Sequence, residues 1–239
     1  MPSVRSPERG RPMRGKSQPA ALGRSNNGMH PTADTSDFMF LQGAARRVMP
    51  SVMPLRKGLP MHTEAEILSE LKRRKAAGQL MADVSYLKAD TASLSDREIA
   101  AAEYRLGFRL PWLLRAIYGE ISNGGFGESR GFLGLVGGVT NEGGQDSVSL
   151  YESYREADPG DEYWHWPEGL LPVCHLGCGM YHCVQCLNEA LPVFWFEPNP
   201  HTPAEPWDDS FIPFSPSLRE YLSAWLDGVD LWAKLAAGA

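Results

Sequence analysis

Residues Leu110 to Gly125, LPWLLRAIYGEISNGG, leave the backbone few options. Pro111 suits a first helical position, where its missing N–H is not needed. Leu113, Leu114, Ile117, Tyr118 and Ile121 recur at helical spacing and make one wide apolar face. Asn123-Gly124-Gly125 then ends the helix, because these residues accept the left-handed backbone of a helix exit. Leu110 is a poor N-cap, so tertiary packing has to fix that end. The spacing predicts a short buried helix with a hard stop.

Charge divides the chain. Residues 1–60 carry ten Lys/Arg against three Asp/Glu, whereas residues 61–239 carry thirteen against twenty-six, a balance of −13. The first stretch is rich in Pro, Gly, Arg and Ser, lacks periodicity, and offers only Phe38–Leu41 as an apolar patch. Too little apolar area is available there to offset ordering entropy. We therefore expect 1–60 to be a disordered basic extension, or sequence outside the native protein with Met61 as an alternative start. A tail that touches nucleic acid by charge ranks behind both. A single domain is expected over 61–239. No run approaches the ~20 apolar residues of a membrane span, and no apolar signal region follows the first arginines. The four cysteines all lie within 174–186, which is not the framework of a secreted domain, so a cytoplasmic protein with reduced thiols is expected.

Helix starts are written locally. Thr63-Glu64-Ala65-Glu66 and Ser95-Asp96-Arg97-Glu98 are both capping boxes, in which hydroxyl and carboxylate satisfy exposed N–H groups reciprocally. Ile67, Leu68 and Leu71 give the first helix its apolar stripe, and Lys72 to Lys75 place cations in its last turn, read as a solvated end ahead of an anion site. Leu94 and Ile99 fit a hydrophobic staple on the second, which runs to about Leu106 with Gly107 as its cap. Glu103 is read as a structural hydrogen-bond partner of the following loop, ahead of a catalytic role. Phe132, Leu133, Leu135 and Val136 predict a short strand among glycines. Those glycines match neither G-x-G-x-x-G nor a P-loop, so turns explain them better than phosphate binding.

Gln145 to Ala157 returns to helical spacing and is acidic. Asp146, Glu152, Glu156, Asp158, Asp161 and Glu162 are followed by Trp164 and Trp166. Aromatic anchors ringed by charge are what protein interfaces use, so these eight residues are the candidate partner-binding surface. Two core aromatics beside a solvated acidic face is the competing reading.

The densest chemistry is LLPVCHLGCGMYHCVQCLN, with Cys174, His175, Cys178, His182, Cys183 and Cys186. Val173–Leu176 and Tyr181–Leu187 read as strands around a Gly177–Gly179 turn. Positions 183 and 186 of an extended strand point to opposite faces, which opposes one tetrahedral zinc site. Buried inert cysteines are the leading reading, a zinc-binding structural or redox module on Cys174–Cys186 the alternative, and no metal or cofactor is expected. Neither a nucleophile elbow nor a His-Glu-x-x-His helix is present, and the chain is not expected to be an enzyme. Pro192–Glu197 is the expected partner of Tyr181–Leu187. Ser215 as N-cap and Pro216 at the first position open a last helix, which Asp227-Gly228 breaks before Leu231.

The capped helix with Ile99 and Glu103, Leu106-Gly107, Leu110-Pro111, Tyr118, Asn123-Gly124-Gly125, Leu133-Gly134, then LPVCHLGCGMYHCVQCLNEALPVFWF, resembles in its order the SUKH superfamily, of the cell-wall-assembly-regulator-like kind. The resemblance covers roughly 65–235. One position departs: the family hairpin typically carries Gly-Asp where this chain has Gly179-Met180. The resemblance implies an α+β domain with a central, mostly antiparallel sheet and packed helices, preceded by the extension. It also implies a non-enzymatic protein-binding module, with many bacterial members acting as immunity proteins that neutralise a cognate toxin, often a nuclease. A basic toxin domain is then the expected partner, with no membrane and no direct nucleic-acid contact.

Overall fold

Two capping boxes set the helical layer. In the computed structural model, which describes Leu55, residues 60–80 and residues 91–238, Thr63 and Ser95 each accept from the backbone N–H three residues on, and Glu66 and Glu98 return the bond. They start α1 (Glu64–Ala76) and α2 (Asp96–Leu106), and α2 ends on Gly107 in the left-handed conformation. The expected extension 1–60, with its Phe38–Leu41 patch, lies outside the described residues except for Leu55 and Pro60. Leu55 is buried against the core, and its N–H donates to the buried Glu220 carboxylate at 2.7 Å.

The central apolar helix is shorter and wider than its spacing predicts. Pro111 is the N-cap residue rather than the first helical one, α3 covers only Trp112–Ala116, and Ile117–Ile121 continues as a π-helical turn. A five-residue α-helix has no stability of its own, so packing holds it. Leu113, Leu114, Ile117, Tyr118 and Ile121 are all fully buried or nearly so. The wide turn leaves the Tyr118 carbonyl to accept from Leu94 N–H at 2.9 Å, which lashes the segment before α2 to the helix exit.

The segment predicted as a strand, Phe132 to Val136, forms only a single bridge, Phe132 to Cys174. Glycines bend it too sharply for a ladder. It turns back on itself instead, with Asn123 donating to Val136 O at 2.9 Å and accepting from Leu135 N at 2.8 Å. From there the chain enters α4 (Ser147–Arg155), capped by Asp146.

The sheet is an antiparallel meander, β1 (Leu170–Gly177), β2 (Met180–Gln185), β3 (Val193–Phe196) and β4 (Phe211–Ser215), in that order. The β1–β2 turn is the two residues Cys178-Gly179, both with positive φ, which suits the twist of paired strands. Met180, at the departing family position, opens β2 opposite Gly177 and is half-buried. The last strand does not follow from the sequence pattern, because Pro213 and a half-exposed pattern obscure it. The following helix, α5 (Leu218–Leu226), takes Ser217 as its N-cap, not Ser215, because Phe211 to Ser215 is committed to β3. Asp227-Gly228 does break it, and α6 (Leu231–Gly238) follows. Both faces of the sheet are covered. Tyr154 of α4 and Trp166 pack on Tyr181 and Phe196, while Tyr221 of α5 meets His182 and Phe214. The fold is α+β, and no helix among the described residues is long and apolar enough to cross a membrane.

Two predictions follow from this packing. Gly124 has φ +94°, and a Cβ there would meet the Phe132 carbonyl oxygen and Gly134 nitrogen at 2.7 Å; Gly137, at φ +66°, has nothing within 4 Å. Gly124→Ala should therefore cost more than about 3 kcal/mol or prevent folding, against about 1 kcal/mol for Gly137→Ala, by urea unfolding. Leu55→Ala, or a chain begun at Met61, should lose about 2–4 kcal/mol relative to the full chain in the same assay.

Candidate functional site

The eight acidic and aromatic residues separate into two groups by what holds them. Asp146 caps α4, accepting from Ser149 N at 2.9 Å and from Gly137 N at 2.8 Å. Glu152 pairs with Arg105 of α2 at 2.9 Å. Trp166 is 2% exposed, and its indole N–H donates to the Leu170 carbonyl at 2.7 Å, so it belongs to the core. These three build the domain. Past the end of α4 the chain leaves the body, and Glu156, Asp158 and Glu162 stand exposed. Asp161 is half-buried between them and Trp164 is half-buried beneath.

Trp164 connects this loop to residues that carry no signal of a site in the sequence. Its ring meets Trp207 edge-to-face at 4.9 Å, and Trp207 in turn stacks on His201 with centroids 3.6 Å apart. Trp207 opens a 3₁₀ turn, Trp207–Ser210, that carries exposed Asp208 and Asp209. Asp161 joins the two segments: one oxygen accepts from the Trp207 indole N–H at 2.7 Å, the other from Tyr163 N at 3.0 Å. The indole N–H is the main reason that the Asp161 carboxyl is held below its ordinary range. Together they enclose a concavity of about 440 Å³ walled by Asp161, Glu162, Tyr163, His201 and Trp207. No ion pair with Lys or Arg reaches Glu156, Asp158, Asp161 or Glu162 among the described residues.

A second concavity, about 460 Å³ beside Leu94, Ile99 and the exposed Trp112, lies between α2 and α3. Its charges are mutually neutralised. Arg115 is tied to Asp96 at 2.8 Å and to Glu103 at 3.1 Å, and Lys72 to Glu120 at 2.6 Å. Glu103 also accepts from Leu110 N at 3.1 Å, the structural role expected of it. The cations ending α1 are likewise engaged, by Glu70 and by the carbonyls of Leu226 and Ile121.

The cysteine–histidine stretch sits inside the sheet. Cys174, Cys183 and Cys186 are buried and Cys178 is exposed at the hairpin tip. Burial pushes the Cys174 thiol up to about 12 and the Cys183 and Cys186 thiols upward as well, which keeps them protonated and inert. Among the described residues no three His, Cys, Asp or Glu side chains gather to hold a metal ion. His175 stacks on Tyr181 and lies 2.9 Å from Glu142, which also pairs with Arg130. His182 stacks on Phe214, with Nδ1 3.0 Å from the Tyr221 hydroxyl.

Compared with protein families, residues 93–224 match the model of the SMI1 / KNR4 family (SUKH-1). Comparison with curated proteins finds no match.

Burial lowers His182 from the ordinary histidine value to about 3. The unfolded chain therefore binds a proton near pH 6.5 that the folded chain refuses, and stability falls as pH drops through that window. Between pH 8 and pH 5 the wild type should lose about 2 kcal/mol more than His182→Gln, measured by urea unfolding at each pH.

Proposed function

Since the chain belongs to the SMI1 / KNR4 (SUKH-1) family, with more than half its length carrying the match, we propose that it is a non-catalytic protein-binding module of the immunity type. In this reading it captures and neutralises a cognate toxin in the cytoplasm, and the partner is a basic domain such as a nuclease. The observation that carries the proposal is the outward loop after α4. Glu156, Asp158, Asp161 and Glu162 project negative charge that no lysine or arginine of the described residues cancels. Uncancelled charge of one sign raises encounter rates with an oppositely charged partner and repels the phosphates of nucleic acid. The −13 balance of residues 61–239 adds a long-range field of the same sign. The contact surface is then Glu156, Asp158, Asp161, Glu162 and Trp164, with Asp146, Glu152 and Trp166 as the scaffold behind it.

The test is co-expression and co-purification with the C-terminal domain of a toxin encoded by a neighbouring gene, followed by stopped-flow association. We expect a stable complex and relief of toxicity. The triple variant E156K/D158K/E162K should slow association at least tenfold at low salt and flatten its salt dependence, with little change in dissociation. Unchanged association at low salt would remove this surface, and toxicity without a complex would remove the immunity reading.

A further inference from the structure

We propose that the concavity beside Trp207 is a socket for one arginine side chain of the partner. The proposal rests on the protein-binding reading above and names what that surface recognises.

The charge in the socket is fixed in advance. Asp161 is held on both oxygens, by the Trp207 indole and by Tyr163 N–H, so its carboxylate needs no rearrangement to meet a ligand. Each oxygen keeps acceptor capacity beyond the single bond it makes. A cation is the only charge that this wall favours, and no lysine or arginine of the described residues supplies one; the nearest titratable group is His201 itself, 3.9 Å away.

His201 points to the shape of that cation. Its side chain is more than nine-tenths buried, its ring lies flat on Trp207, and it lines the same concavity. Its Nε2 makes no hydrogen bond and lies 3.9 Å from Asp161 Oδ2. A buried polar nitrogen without a partner is costly unless a ligand or water completes it. In the tautomer that carries its proton on Nδ1, His201 sets a second acceptor, Nε2, beside the Asp161 carboxylate. A guanidinium offers several N–H donors in a rigid plane and reaches both at once, while an ammonium is a point charge on a flexible stem. Tyr163, 40% exposed at the rim, supplies an aromatic face for that plane. An anion is repelled by Asp161, and an apolar group would desolvate it without compensation.

The probe is N-acetyl-arginine amide, titrated at constant ionic strength into the ¹⁵N-labelled full chain, with N-acetyl-lysine amide as comparison. The readout is the indole N–H signal of Trp207, assigned by its loss in Trp207→Phe. We expect a saturable shift with a dissociation constant in the millimolar range for the arginine amide, and a lysine response at least fivefold weaker. Tyr163→Ala, which removes an exposed ring and leaves the fold intact by thermal melting, should weaken arginine binding at least fivefold, as should Asp161→Asn. No saturable shift, equal response to lysine, or full binding by Tyr163→Ala overturns the socket. If the socket fails while E156K/D158K/E162K still slows the partner, the protein-binding reading stands without it; if neither change has an effect, both fall.

Discussion

The side-chain amide of Asn123 is where the helical layer is fastened to the sheet. It bridges Leu135 N and Val136 O, just as Gly124 brings the backbone against Phe132 to Gly134. That irregular segment then bonds in two directions. Leu133 N and Arg130 N reach β1 carbonyls, while Gly134 and Leu135 carbonyls accept from the first turn of α4. A mainly hydrophobic contact would hold these layers together without fixing their register. Two amide bonds, one of them fully buried, and a glycine with no room for a Cβ fix it to one arrangement.

This fastening explains which parts of the chain were legible in the sequence. Capping boxes at Thr63 and Ser95 are four-residue signals, and both formed as read. The apolar spacing of Leu113 to Ile121 gave the buried face, yet not the π-helical turn, because the turn answers to Leu94 and to the packing of α2. The 132–136 segment has strand composition and a non-strand backbone, since its glycines serve Asn123 rather than a ladder. Strand β4 was hidden by Pro213, and the true N-cap of α5 with it.

The candidate surface was legible in part for a similar reason. Its charge is a matter of composition and could be counted. Which aromatic lies inside could not. Trp164 and Trp166 are two residues apart in irregular chain, and only tertiary packing sends one to the core and leaves the other half-exposed. Trp207 and His201 lie some forty residues from Asp161, with no periodicity to connect them, and they stack within the connection between β3 and β4.

The placement of charge fits the binding role proposed above. The dense Cys–His stretch, rich in groups useful for catalysis near neutral pH, is largely buried in or beside β1 and β2, where burial keeps the Cys174, Cys183 and Cys186 thiols protonated and His182 neutral. The carboxylates occupy the opposite situation. Those that serve the fold, Asp146, Glu152 and Glu103, are each capped or paired, so their charge is largely silent at a distance. Glu156, Asp158 and Glu162, past α4, meet no lysine or arginine among the described residues, on a loop whose base is pinned by the Asp161–Trp207 bond. A fold under selection for stability alone gains nothing by presenting like charges next to one another, because their mutual repulsion costs free energy. An external cation offsets that repulsion, and in the role proposed above a basic partner supplies it.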